Sequence, residues 1–118
     1  MKLLQIILVM LAWSGAAIAG PYDGIFRPDG DWAKDWDCET VGMGGGAYSF
    51  SGNQYRGIES LCILNKPTPV RGMDATLFDA DCTAEGDSYS YRIMVMKTDT
   101  GIAVVLPGGD VTFLRRCE

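Results

Sequence analysis

Histidine is absent from this chain of 118 residues. Its absence removes the commonest general base, the Ser-His and Cys-His nucleophile pairs, and the imidazole on which many zinc sites depend. Clustered basic residues are also lacking. Lys34, Arg56, Lys66, Arg71, Lys97, Arg115 and Arg116 are scattered, only the last two adjoin, and the formal net charge is −5. Phosphate neutralisation needs grouped Lys and Arg, so nucleic acid is not an expected partner, and anionic membranes are disfavoured for the same reason. The N-terminal run Leu3 to Trp13, apolar apart from Gln5, falls short of the roughly 20 residues that span a bilayer as a helix. No long amphipathic helical pattern occurs anywhere.

That N-terminal run has instead the form of an export signal. Lys2 supplies a short positive start, the apolar centre follows, and Ala17-Ile18-Ala19 meets the A-x-A rule for cleavage before Gly20. The expected organisation is a signal peptide over residues 1–19 and a single small domain over residues 20–118, periplasmic or secreted, with no membrane span after cleavage. The leader carries only Lys2, so the remaining domain is still more acidic. Such a surface favours a cationic partner by long-range attraction.

All four cysteines, Cys38, Cys62, Cys82 and Cys117, lie beyond the leader. An even count in an oxidising compartment, with no C-x-x-C spacing, reads as two disulfides. Three connectivities are open. An up-and-down strand order favours Cys38 with Cys62 and Cys82 with Cys117, although it puts the second pair at opposite ends of a regular meander. No metal or cofactor is expected. The acidic groups Asp29, Asp31, Asp35, Asp37 and Asp79, Asp81, Glu85, Asp87 lack the glycine and closing glutamate positions of a calcium loop.

The segment from Gly20 to Asp37 is rich in Gly, Pro and Asp and reads as an irregular lead-in. Within it Asp31 to Trp36 fits one helical turn, with Asp31 as N-cap and Trp32 and Trp36 on one side at i, i+4. From Ala47 onward, short β-branched and aromatic runs alternate with turn signals, the mark of an antiparallel sheet. The expected strands are Ala47–Ser51, Gln54–Leu64, Asp74–Asp81, Ser88–Thr98, Ile102–Leu106 and Val111–Arg116. Ser51-Gly52-Asn53, Asp99-Thr100-Gly101 and Pro107-Gly108-Gly109-Asp110 supply turns, and Lys66-Pro67-Thr68-Pro69 a stiff connection. In the second strand Ile58, Ser60, Cys62 and Leu64 share one face. In the fourth, Tyr89, Tyr91, Ile93 and Val95 oppose Ser90, Arg92, Met94 and Met96, and the methionines are expected to fill a core gap. The fold class is all-β, a small antiparallel meander of about six strands forming a barrel or sandwich, with open edges able to add a strand.

Two places stand out as candidate binding residues. Trp32 and Trp36 are expected to cover the end of the core, with stacking on a ligand ring as the alternative. Gly44, Gly45 and Gly46, followed by Tyr48, form a glycine-rich loop without the G-x-x-x-x-G-K-[ST] phosphate pattern. Such a loop is a connection or an insertion loop for a partner's groove. No catalytic residue is assigned. Glu59 with Glu85 or Asp87 are the carboxylates a small hydrolase would use.

Trp36-Asp37-Cys38, Glu59-Ser60-Leu61-Cys62, Cys82-Thr83-Ala84-Glu85-Gly86 and the terminal Arg116-Cys117 resemble a group of small two-disulfide secreted proteins of Gram-negative bacteria. The resemblance implies a periplasmic β-fold and carries no assigned activity. Gly46-Ala47-Tyr48-Ser49-Phe50-Ser51-Gly52 is also similar to the Ser/Gly-rich loop of the periplasmic lysozyme inhibitors, which would imply insertion into an enzyme's cleft. The residue order departs from that motif, so no inhibitory residue is carried over. The reading is therefore a non-enzymatic exported domain that binds or inhibits a protein, with a cationic envelope protein or lysozyme as partner. A structural or stress-related envelope protein without a defined ligand is the alternative, and a carboxylate hydrolase comes third.

Overall fold

The structure, a computed structural model, describes residues 20–118; the segment 1–19, expected to be a signal peptide, lies outside the described residues. Eight strands run up and down in chain order: β1 Gly24–Pro28, β2 Tyr48–Ser51, β3 Gln54–Gly57, β4 Ser60–Pro69, β5 Ala75–Ala84, β6 Asp87–Lys97, β7 Gly101–Val105 and β8 Val111–Arg116. Each pairs antiparallel with the next, and β8 pairs with β1, closing a barrel. The all-β barrel expectation holds, with eight strands in place of six.

The two extra strands have separate origins. Gln54–Leu64 is not one strand but two, because Ile58-Glu59 forms a turn between Gly57 and Ser60, with Glu59 at φ 53. The Gly-, Pro- and Asp-rich lead-in contains β1, a strand of five residues that pairs on both sides, with β2 and β8. Its composition is poor for a strand, and the two neighbours supply what local propensity does not. The stiff connection Lys66–Pro69 continues β4 past a register shift between Asn65 and Thr68.

Alternation along the strands fills the interior. Phe26, Ile93, Val95, Ile102, Val104 and Leu114 are the largest fully buried side chains, joined by Phe50, Tyr55, Leu64 and Phe78. An eight-stranded barrel is just wide enough for such a filling. Ser60, Cys62 and Leu64 share the inner face as expected, as do Tyr89, Tyr91, Ile93 and Val95. Met94 and Met96 do not fill the core. They lie on the outer wall, in register with Val105 and Ala103, beside the half-exposed Phe113.

The disulfides correct the favoured pairing: Cys38 bonds Cys117 and Cys62 bonds Cys82. Because Gln54–Leu64 splits, Cys62 falls on β4 directly opposite Cys82 on β5, with Cα atoms 4.0 Å apart, the close spacing of a non-hydrogen-bonded antiparallel pair. Cys117 follows β8, which closure lays against β1, so it meets Cys38 in the connection leaving β1. The turn at Ile58-Glu59 is the physical reason for the Cys62–Cys82 bridge, and barrel closure, absent from an open meander, is the reason for Cys38–Cys117.

The chain-entropy account scales with the loop each bridge closes. The sequence separations are 79 for Cys38–Cys117 and 20 for Cys62–Cys82. Replacing Cys38 and Cys117 by alanine should cost about 4.5 kcal/mol, against about 3 kcal/mol for Cys62 and Cys82. Urea unfolding of the two double variants, followed by far-UV circular dichroism, checks the order.

Candidate functional site

The long connection from Asp29 to Ala47, between β1 and β2, carries Trp32, Trp36, Gly44, Gly45 and Gly46, and Tyr48 opens β2. All six sequence candidates therefore fall in one region. A short 3-10 turn, Asp31–Ala33, starts the connection; Gly30 occupies the cap position and no side chain caps it, so Asp31 is not the N-cap. Ala33 is fully buried and pins the turn to the barrel.

The rest of the loop is tied by its own backbone. Asp37 N–H donates to the Gly45 carbonyl at 2.9 Å and Cys38 N–H to that of Gly46 at 3.1 Å, while Ala47 N–H donates to Thr40. The Asp37 carboxylate accepts from the Glu39 and Thr40 backbone N–H groups and from the Thr40 hydroxyl. These bonds, the Thr40 hydroxyl first, hold its pKa below the usual carboxylate range. The glycines have different duties. A Cβ on Gly46 would stand 1.9 Å from the Thr40 carbonyl oxygen, so nothing larger fits, whereas Gly44 faces open space. The loop is thus a closed, stapled structure rather than a slack connection.

Trp36 stacks on Tyr48 with nearly parallel planes, centroids 6.1 Å apart, and Tyr48 stacks on Tyr55 at 6.4 Å. Tyr55 lies 4.4 Å from Phe50, and Phe50 contacts Phe26 and Tyr22, which in turn meets Phe78 edge-on. An aromatic column thus crosses the barrel interior from the loop to the opposite mouth. Trp36, expected as part of a lid, is half-buried through its stacking on Tyr48. Trp32 covers no core: it packs edge-on against Trp36 at 5.9 Å and remains 74 % exposed.

The opposite mouth was not legible as a site. Tyr22, Phe50, Leu64, Pro67, Pro69 and Phe78 line an apolar depression of about 620 Å³ there. Leu64, opposite Ala80, and Phe78, opposite Ile93, are inward positions of β4 and β5, but Tyr22 belongs to the lead-in and reaches the mouth through a hydrogen bond between its hydroxyl and Thr76, 2.9 Å long. Elsewhere, Glu59 and Glu85 share the lining of a depression of about 380 Å³ with Arg56, while Asp87 stays outside it. Both glutamates are exposed turn residues with positive φ.

Part of each acidic group is engaged with protein partners, while Asp31, Asp35, Glu85 and Asp87 are exposed. Asp29 forms an ion pair with Arg115 at 3.0 Å, Asp81 accepts from Asn65 and Ser90, and Asp79 lies 3.9 Å from Lys66. Among the described residues no group of three or more Asp, Glu or Cys converges as a metal site, and no helix is long and apolar enough to cross a membrane. The site and fold together define a small closed up-and-down β-barrel with one disulfide-stapled aromatic loop. Compared with protein-family models, curated proteins and solved structures, the chain matches none.

Two outcomes follow from this geometry. Gly46→Ala should destabilise the domain by about 2 kcal/mol or more through overpacking, while Gly44→Ala should stay within about 0.5 kcal/mol of the parent, both read from urea midpoints. Burial, then the neighbouring Tyr48, Tyr91 and Tyr89, pushes the Tyr55 phenol far above its ordinary value. The unfolded chain releases that proton near pH ~10 and the folded one keeps it, so the contribution of Tyr55 to stability is level below about pH 10 and falls as pH rises above it. Tyr55→Phe should remove part of that alkaline fall; an unchanged stability profile between pH 9 and 12 would contradict the assignment.

Proposed function

We propose that this chain is an exported, non-catalytic binding module that recognises a cationic protein through the loop carrying Trp32. The observation that carries the reading is the exposure of Trp32 on a stacked aromatic column. An indole 74 % exposed to water, yet backed by Trp36, Tyr48 and Tyr55, is a rigid apolar anchor of the kind that dominates protein interfaces. Because Cys38–Cys117 and the loop's own hydrogen bonds already order it, little conformational entropy remains to be lost on binding. Asp31, Asp35 and Glu39 stand exposed on the same loop. With the net charge of −5, they favour encounter with a basic surface at low salt. The leader-like N-terminus and the two disulfides support a periplasmic or extracellular setting.

The likeness of Gly46–Gly52 to a lysozyme-inhibitor loop makes lysozyme, a cationic envelope-active enzyme, the natural probe. In β2, however, Phe50 of that stretch is buried and Ser49 half-buried, and the loop ahead of Gly46 is what faces solvent. The contact therefore centres on Trp32, with Gly44 and Gly45 exposed on the same loop. Surface plasmon resonance of lysozyme over the oxidised protein should show salt-sensitive binding that weakens at least tenfold in Trp32→Ala, about 1.4 kcal/mol. Binding by the parent that Trp32→Ala leaves untouched would move the contact elsewhere. No binding at low salt would remove lysozyme as the partner.

A further inference from the structure

The barrel is closed by pairing, but its strands are unequal, and closure leaves two stretches of edge. β6 begins at Asp87, whereas its pairing with β7 begins only at Met94 opposite Val105. The other overhang is on β4, whose pairing with β3 ends at Ile63 opposite Gln54 while the strand runs on to Pro69.

The two overhangs are treated differently. On β4, Val70 N–H donates to Ala75 on β5, so the alternate positions Pro67 and Pro69 face away from β5, towards the free side. Proline has no N–H to offer there, and the register shift at Asn65/Thr68 bends the strand as well. This is a blunted edge. On β6, Lys97 N–H donates to Asp74, ahead of β5, and Thr98 N–H to Gly101, at the start of β7. Odd-numbered residues therefore bond towards β5 and even-numbered ones towards β7. Ser88, Ser90 and Arg92 thus aim their N–H and C=O groups at the side where β7 is missing. Pro107 stands where the next ladder partner of Arg92 would be and cannot donate, and the β7–β8 turn closes on itself through Leu106 N–H to Asp110. Among the described residues nothing bonds these outward backbone groups, and no proline, lysine or bulge guards them.

We propose that β6 is a dimerisation edge, pairing antiparallel with β6 of a second copy of this chain about a two-fold axis at Ser90. The sequence of the edge is self-complementary in that register. Ser90 meets Ser90 of the second copy, Ser88 meets Arg92 and Arg92 meets Ser88, so all three outward residues form hydrogen-bonded pairs. No like charges are opposed. Each arginine lies beside Ser88 of the second copy, whose β5 neighbour is Thr83, with the carboxylate of Asp81 one rung away. The ladder from Asn65 through Asp81 to Ser90, bonded at 2.7 Å in both steps, continues across the axis into the other subunit. On the inner face Tyr89, 43 % exposed and 5.5 Å from Tyr91, meets Tyr91 of the second copy, a cross-strand aromatic pair on each side of the axis. An edge of this length makes a small interface, so the dimer is weak and reversible.

Sedimentation equilibrium of the oxidised protein from micromolar to millimolar concentration tests this. The expected result is a monomer–dimer equilibrium. Ser90→Pro, which deletes the outward N–H on the axis at a position where an edge tolerates proline, should raise the dissociation constant at least about tenfold. Ser88 supplies a test that does not touch the backbone. Ser88→Arg places two arginines opposite each other and should weaken the dimer, the more so at low salt. Ser88→Glu should tighten it despite a greater net negative charge. Far-UV circular dichroism and absence of free thiol confirm that each variant keeps the fold. A monomer at every concentration would overturn the proposal and leave the edge to an extended strand of another protein. So would a dimer insensitive to the Ser88 charge swap.

Discussion

The ladder between β1 and β8 pairs Phe26 with Arg116, Arg27 with Arg115 and Pro28 with Leu114, only a few residues at opposite ends of the domain. Without it the remaining strands form an open, twisted sheet; with it the sheet becomes a tube with a filled interior. The contact is costly to make, since its partners lie some 90 residues apart and loop-closure entropy opposes it. It is correspondingly reinforced. Asp29 N–H donates to Phe113, Cys117 N–H to Ile25, the Arg116 guanidinium lies 4.9 Å over the Phe26 ring, and Arg115 pairs with Asp29. The Cys38–Cys117 bridge then joins the segments leaving both strands, and confines the unfolded chain where that chain has most freedom to lose.

The site inherits its rigidity from this closure. The bridge that secures the seam also anchors the loop, so Trp36 is held over Tyr48 at one end of the interior. From there the aromatic column passes through Tyr55 and Phe50 to Tyr22 and Phe78 at the other. Aromatic pairs at these separations each add about 0.5–1.5 kcal/mol beyond simple burial. Trp32 is therefore presented by the core rather than by a flexible loop, and the two ends of the barrel are packed through one another. The outer wall has a separate character, with polar rungs on β4–β6 and an apolar band of Met94, Met96, Val105 and Phe113 towards β8.

Much of this was legible residue by residue. β2, β5, β6, β7 and β8 follow the alternation and turn signals to within about three residues. The inner face of β6, Tyr89 to Val95, is set by its period of two. Gly44, Gly45, Gly46, Trp32, Trp36 and Tyr48 are conspicuous as residue types, and they do gather in one place. β1 was not legible, because Gly24-Ile25-Phe26-Arg27-Pro28 is bounded by Gly and Pro inside a Gly-, Pro- and Asp-rich stretch. The turn at Ile58-Glu59 was hidden because nothing in an Ile-Glu step announces a left-handed residue. The distinct roles of the glycines were hidden too, since only the approach of the Thr40 carbonyl distinguishes Gly46 from Gly44.

Sequence alone determined the all-β character, the number of disulfides and the absence of imidazole chemistry, because these rest on composition and on neighbours two to four residues apart. Tertiary structure decided which cysteines meet, that the sheet closes, and that one overhanging edge is guarded by Pro67 and Pro69 while the other is left bare. Those outcomes depend on which distant strand lies alongside which. A period-two pattern states only that a strand has two faces, and is silent about its neighbours.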